Sequence, residues 1–174
     1  MDQPKTFQVD DATLNWLNFK GKEGMYNREG QKTFCVDIDV EVVEPMMNDH
    51  WNVKFHKAQP GEEGPHIVPD PRPNAKPGDM INLERPYVPV EARWDVRPPR
   101  IVMITSAGRT NLTEDTVEIL DWVDMETVDL ICRSYRHETQ GKVMLKAYLQ
   151  TMFVTIREDA LERKYQANEL MEQD

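Results

Sequence analysis

A chain of 174 residues can bury roughly two-thirds of its unfolded surface and fold without staples, while its net charge of −10 argues against binding polyanions through its overall field. Its two cysteines, Cys35 and Cys132, lie far apart in apolar alternating segments, which predicts reduced core thiols rather than a disulfide framework. The N-terminus MDQPKTFQVDD has neither the basic start nor the apolar core of a secretory signal, and no apolar run approaches membrane-spanning length, so a cytoplasmic protein with no membrane partner is expected.

Along the chain, the first strand is predicted over Thr13 to Lys20, with Leu14, Trp16 and Asn18 on one face and Asn15, Leu17 and Phe19 on the other. Gly21 to Gly30 holds three glycines and an asparagine and reads as a loop. Lys32 to Asp39 alternates again as a strand. Glu41 to Asp49 suits a short helix limited by Pro45, and Trp51 to Lys57 a third strand. Trp16, Phe34 and Phe55 are expected in the core, because a barrel of this size needs large side chains inside.

Gln59 to Pro99 carries ten of the twelve prolines and is read as a long connection that excludes a central strand, with an edge strand over Tyr87 to Val96. Arg100 to Ser106 has the pattern of a buried strand. Asn111 and Glu114 have capping-box spacing, which predicts a short helix over Asn111 to Asp121. A long hairpin follows over Val128 to Ile156, and then a polar tail. Short strands with Gly- and Pro-rich turns predict a mainly β fold: an OB-like small antiparallel barrel with short helices and a long Pro-rich insertion, a sandwich being the alternative. The domain is expected over 1–157, with 58–99 as the insertion and 158–174 as an acidic C-terminal tail.

The long hairpin carries the chemistry. A two-residue turn at Gln140-Gly141 sets Thr139 opposite Lys142, Tyr135 opposite Lys146 and Arg133 opposite Tyr148. Period-two geometry then places Arg133, Tyr135, Lys146 and Tyr148 on one face, and Leu130, Cys132, Ala147 and Leu149 on the other. Alternating cations and rings suit base stacking and phosphate contact, although the pattern alone fits a solvated sheet face equally well. Tyr26, beside Lys22 and Arg28, is the best loop candidate for nucleic-acid contact, and Lys142 extends the cationic set.

Catalytic patterns are thin. Asp37 and Asp39 share a strand face, but His50, His56, His66 and His137 lack metal-ligand spacing, and no phosphate-cradling or nucleophile-elbow motif occurs. The turn Ser106 to Thr110 reads as plain. No cofactor, metal or catalytic residue is therefore assigned. From Glu158 to Asp174 six acids against two bases give −4, leaving −6 on the body, so any phosphate site must be a local patch. The tail suits either a solubilising terminus or a dock for basic proteins.

Several segments together, Asn18 to Phe34, Trp51 to Lys54, Pro99 to Ser106, Leu112 to Val117, Val128 to Leu130 and Lys146 to Leu149, resemble a family of tailed-phage proteins that look like OB-fold single-stranded-DNA-binding proteins of replication and recombination. The proline-rich stretch looks longer than the family pattern. The resemblance implies a non-catalytic protein that coats single-stranded DNA in the host cytoplasm with little sequence preference. Basic replication or recombination proteins are then partners for the tail, and a homo-oligomer is compatible with this reading. The alternative is an acidic protein-interaction module, a virion or host-takeover component, without nucleic-acid binding. A metal-dependent nuclease at Asp37 and Asp39 is the third and weakest reading.

Overall fold

The computed structural model describes residues 5–25, 27–58, 61, 63–70, 76–95 and 97–158. Ten strands among these join one sheet. In chain order they are β1 (Thr6–Val9), β2 (Leu14–Asn18), β3 (Lys32–Asp37), β4 (Lys54–Lys57), β5 (Ile67–Pro69), β6 (Met80–Ala92), β7 (Arg100–Thr105), β8 (Gly108–Leu112), β9 (Met125–Thr139) and β10 (Lys142–Ile156). A 3-10 turn over Val40–Val42 leads into α1 (Val43–Asn48), and a second spans Val117–Asp121. The fold is mainly β.

The predicted hairpin forms with the predicted register. Gln140 and Gly141 both take positive φ, 52° and 76°, the backbone of a type I′ turn that matches the twist of the flanking strands. Lys142 faces Thr139, Lys146 faces Tyr135 and Tyr148 faces Arg133. A bulge between Leu149 and Thr151 then shifts the alternation. Ala147 and Leu149 are buried below it, Met152 and Val154 beyond it, so an unbroken period would have turned the wrong residues inward.

The main path through the sheet runs β1-β9-β10-β6-β3-β2, and β10 runs parallel to β6 and to β7. Its two terminal strands, β1 and β2, are consecutive in the chain. The link between them is also held: the Ala12 amide donates to the Val128 carbonyl of β9, and the Asp37 amide of β3 donates to the Thr13 carbonyl. Phe19, Phe34, Val36, Val88, Val90, Leu130, Cys132, Leu149 and Met152 fill the core on the inner face.

Four expectations need correction. β1 was not anticipated, although Phe7 and Val9 pack against the core with the alternation of a strand. The segment read as a helix from Asn111 continues strand β8, because Ala107 and Gly108 turn the chain back on β7 and set Asn111 opposite Val102. The 3-10 turn that follows from Val117 has no side-chain cap, although the Thr113 amide donates to Thr116 Oγ1 at 2.7 Å just ahead of it. Trp16 is 59% exposed rather than core, since a bulge between Asn15 and Asn18 breaks the alternation and gives Trp16 a φ of 52°.

The fourth concerns the proline-rich stretch, which contains the central strand β6. Pro89 falls between Tyr87, the last residue of β6 paired with β4, and Val90, the first paired with β10. Pro86 stands at a register shift in β4. Proline costs a strand only where a neighbour needs its missing N–H, and both lie where partners change.

Candidate nucleic-acid interface

Because Val88, Val90 and Ala92 point into the core, Glu91 and Tyr87 stand on the outer face of β6. Glu91 pairs with Tyr148 on one side and Thr33 on the other, and Tyr148 pairs with Arg133. Arg133, Tyr148, Glu91 and Thr33 therefore form one transverse row across β9, β10, β6 and β3. Tyr135 and Lys146 form the adjacent row on the hairpin.

Within these rows the rings of Tyr135 and Tyr148 stack, with centroids 5.1 Å apart and planes at 16°. The Arg133 guanidinium lies 5.4 Å from the Tyr148 ring centre and that of Arg93 5.7 Å away. Arg93 Nη1 also donates to Tyr148 Oη at 3.3 Å, and its fork is held by Asp95 through Nε at 3.0 Å and through Nη2. Tyr148 is consequently buried at 4% exposure, while Tyr135 remains 48% exposed. One ring supports and the other presents.

Arg133 is buried as well, at 7% exposure, and its Nη2 has no hydrogen-bond partner among the described residues. Burial, reinforced by the nearby charge of Arg97, pushes its pKa down, with Tyr148 opposing. The residue stays a cation, since a guanidinium does not lose its proton in proteins. It acts on the face through its field and its contact with the ring. Lys146 is half-buried opposite Tyr135, and Lys142 is exposed at the hairpin tip.

Lys22 and Arg28 are exposed on the loop between β2 and β3, and Tyr26 lies outside the described residues. That loop is tied down at several points. Asn18 and Lys22 exchange two hydrogen bonds at 2.9 Å, Asn27 Nδ2 donates to Thr33 Oγ1 at 2.8 Å, and Lys32 Nζ donates to the Phe19 carbonyl at 2.8 Å. Gly21, at φ 79°, is required: a Cβ there would come within 3.0 Å of the Gly30 backbone. Thr33, to which Asn27 ties the loop, is three strands from Arg133, about 14 Å at ~4.8 Å per strand.

Arg93 and Asp95 are the residues around Tyr148 that sequence reading missed. They lie at the end of the segment predicted as an edge strand, Tyr87 to Val96, for which the sequence assigns no neighbour, so no pairing could place them beside Tyr148. Elsewhere the face offers little nucleophilic chemistry. Burial, with a smaller push from Asp37, raises the Cys35 thiol to about 11 despite Lys54, which leaves it protonated at neutral pH. Burial raises Cys132 further. Among the described residues no three His, Cys, Asp or Glu side chains converge on a metal position, and no helix is long and apolar enough to cross a membrane.

The sequence model of one family, described as "Putative phage ssDNA-binding domain", matches residues 2–70 and 73–174. No curated protein sequence matches the chain. Solved structures similar to it include the single-stranded DNA-binding protein from bacteriophage Enc34, with 10% identity, TM-score 0.47, and coverage of 88% of this chain and 82% of that one. The same phage protein with a C-terminal truncation matches at 13% identity and TM-score 0.43, covering 88% and 87%. Its complex with ssDNA matches at 11% and 0.44, covering 88% of each chain. With the family match spanning nearly all of the sequence, the chain belongs to this family of phage single-stranded-DNA-binding domains.

Proposed function

We propose that this single-stranded-DNA-binding protein coats the strand with little sequence preference, using the outer face of β9 and β10. The observation that carries the reading is the stacked tyrosine pair: a buried ring contacted by two guanidinium groups backs a half-exposed ring that a base can cover. Stacking on a ring is tolerant of sequence because every base has a π-face, and each such stack contributes roughly 1–3 kcal/mol. Lys146 and Lys142 hold phosphates along the hairpin, and Lys22, Arg28 and Tyr26 hold the strand from the loop. Arg133 and Tyr148 act from beneath, by fixing Tyr135 and by charge.

The domain reads as an OB-like barrel. The order β1-β9-β10-β6-β3-β2, the parallel β6–β10 pairing, and the anchoring of residues 6–18 to β9 at one end and β3 at the other all favour it. The role is non-catalytic, in phage replication or recombination within the host cytoplasm. The acidic tail, 158–174, docks basic partner proteins, and self-association along the strand is part of coating.

The acidic body favours one other reading, a protein-interaction module. Fluorescence titration with oligonucleotides at low salt, on the full chain and on a chain lacking the tail, separates the two. The coating reading expects both to bind, and absence of binding by both would contradict it.

A further inference from the structure

A second aromatic group lies on the outer face, away from the tyrosine pair. Trp16 sits 5.1 Å from Tyr87 and 5.5 Å from His56, and His56 and Tyr87 are 4.8 Å apart, all centre to centre. Trp16 is 59% exposed in spite of these contacts. It also holds a φ of 52° in a bulge, a conformation that is unfavourable for a bulky side chain and that re-aims the residue out of the strand alternation. A core role does not explain an exposed indole kept at such a backbone position, whereas strain of this kind collects at ligand sites.

The charges around the cluster suit a polyanion. Lys54 of β4 is paired with Tyr87, and Arg85 is exposed two residues before it. Acids also stand on this face: Glu91 further along β6 and, beside the cluster, Asp37, paired with Tyr87 on β3. The Asp37 carboxylate accepts a hydrogen bond from Asn15 Nδ2 at 2.8 Å and feels both His56 and Arg85. Tyr87 precedes Glu91 by four residues on β6, about 13 Å at ~3.3 Å per residue, and Glu91 pairs with Tyr148. The two aromatic groups thus share one face, separated by a short walk along one strand.

We infer that Trp16, Tyr87 and His56 form a second base-stacking platform, so that a single strand crosses the face from Tyr135 over β6 to Trp16. This rests on the coating function proposed above and adds where the strand leaves the hairpin. The indole is the outermost surface of the platform, Tyr87 and His56 back it, and Lys54 and Arg85 meet the phosphates beside it.

Oligothymidylates of about 4 and about 16 nucleotides, the span of OB-fold sites, test it with the full chain, Trp16→Gly, Trp16→Phe and Tyr135→Ala. Glycine accepts the positive φ without strain, so Trp16→Gly is expected to unfold at or above the temperature of the unsubstituted protein. The 16-mer should bind Trp16→Gly about 5- to 150-fold more weakly, the range of one lost stack, while Trp16→Phe keeps most of the affinity. The gain in affinity from 4-mer to 16-mer should shrink accordingly. The difference in fluorescence between the unsubstituted protein and Trp16→Phe isolates Trp16, whose emission should be quenched by the 16-mer whatever the stability of the glycine variant. Unquenched Trp16, or an equal length gain in Trp16→Gly, overturns the second platform while Tyr135→Ala still reports on the first. Absence of binding by the unsubstituted protein would instead overturn the coating function itself.

Discussion

Replacing Tyr135 with alanine removes the half-exposed ring and leaves Tyr148 with its contacts to Arg93 and Arg133, so it separates presentation from support. The expected loss is roughly 1–3 kcal/mol of oligonucleotide affinity with little change in unfolding temperature, read by titration and thermal melting of the same samples. Asp37 offers a test that does not involve nucleic acid. Burial raises its pKa above 3.8, with His56, Arg85 and the Asn15 hydrogen bond opposing. A raised carboxyl pKa means that the folded protein holds the proton more tightly than the unfolded chain. Its contribution to stability is therefore present below 3.8 and is lost as pH rises through the folded value. Asp37→Asn keeps an acceptor for Asn15 and removes the partly buried charge. The variant should melt higher than the unsubstituted protein at pH 7, and the difference should shrink towards pH 3.5. An equal difference at both pH values would contradict this assignment.

The turn between β9 and β10 is the element on which the tyrosine register depends. Both of its central residues need positive φ, and asparagine accepts that geometry better than glutamine. Gln140→Asn should raise stability by a few tenths to about 1 kcal/mol. Gly141→Ala should lower it by at least about 1 kcal/mol through backbone strain alone, because a Cβ there meets nothing within 4 Å. Chemical denaturation checks both. This hairpin was legible in the sequence for the same reason: alternation and a two-residue turn fix every partner once one pair is known. Trp16 was not, because a single bulge inverts the faces after it. The first half of β6 and its central place were hidden by its prolines, which made Tyr87 to Val96 read as an edge strand and whose harmlessness depends on which neighbouring strand needs an N–H at that position. The support of Tyr148 by Arg93 was hidden too, since it joins residues 55 apart.

For the molecule as a whole, the acidic balance turns from an objection into a constraint. With −6 on residues 1–157 and −4 beyond, attraction to a phosphate chain cannot come from the mean field. On the function proposed above it comes from cations on one face: Lys142 and Lys146 on the hairpin and Lys22 and Arg28 on the loop, with Arg133 behind, joined by Lys54 and Arg85 where the strand reaches Trp16. Such a patch acts at short range and is weakened by salt in proportion to the phosphates it neutralises. About four phosphates give a slope near −3 for log affinity against log salt, from about −0.7 per contact on a single strand. Deleting the tail should strengthen binding at low salt, since that removes a competing polyanion.

Titration of the full chain and Tyr135→Ala with single-stranded oligonucleotide across a salt series tests the central claim most directly. The predicted result is a linear fall with slope near −3 for both proteins, offset by roughly 1–3 kcal/mol between them, because the ring stacks and the lysines pay the electrostatics. Absence of binding at low salt, or coincident lines for the two proteins, would contradict it.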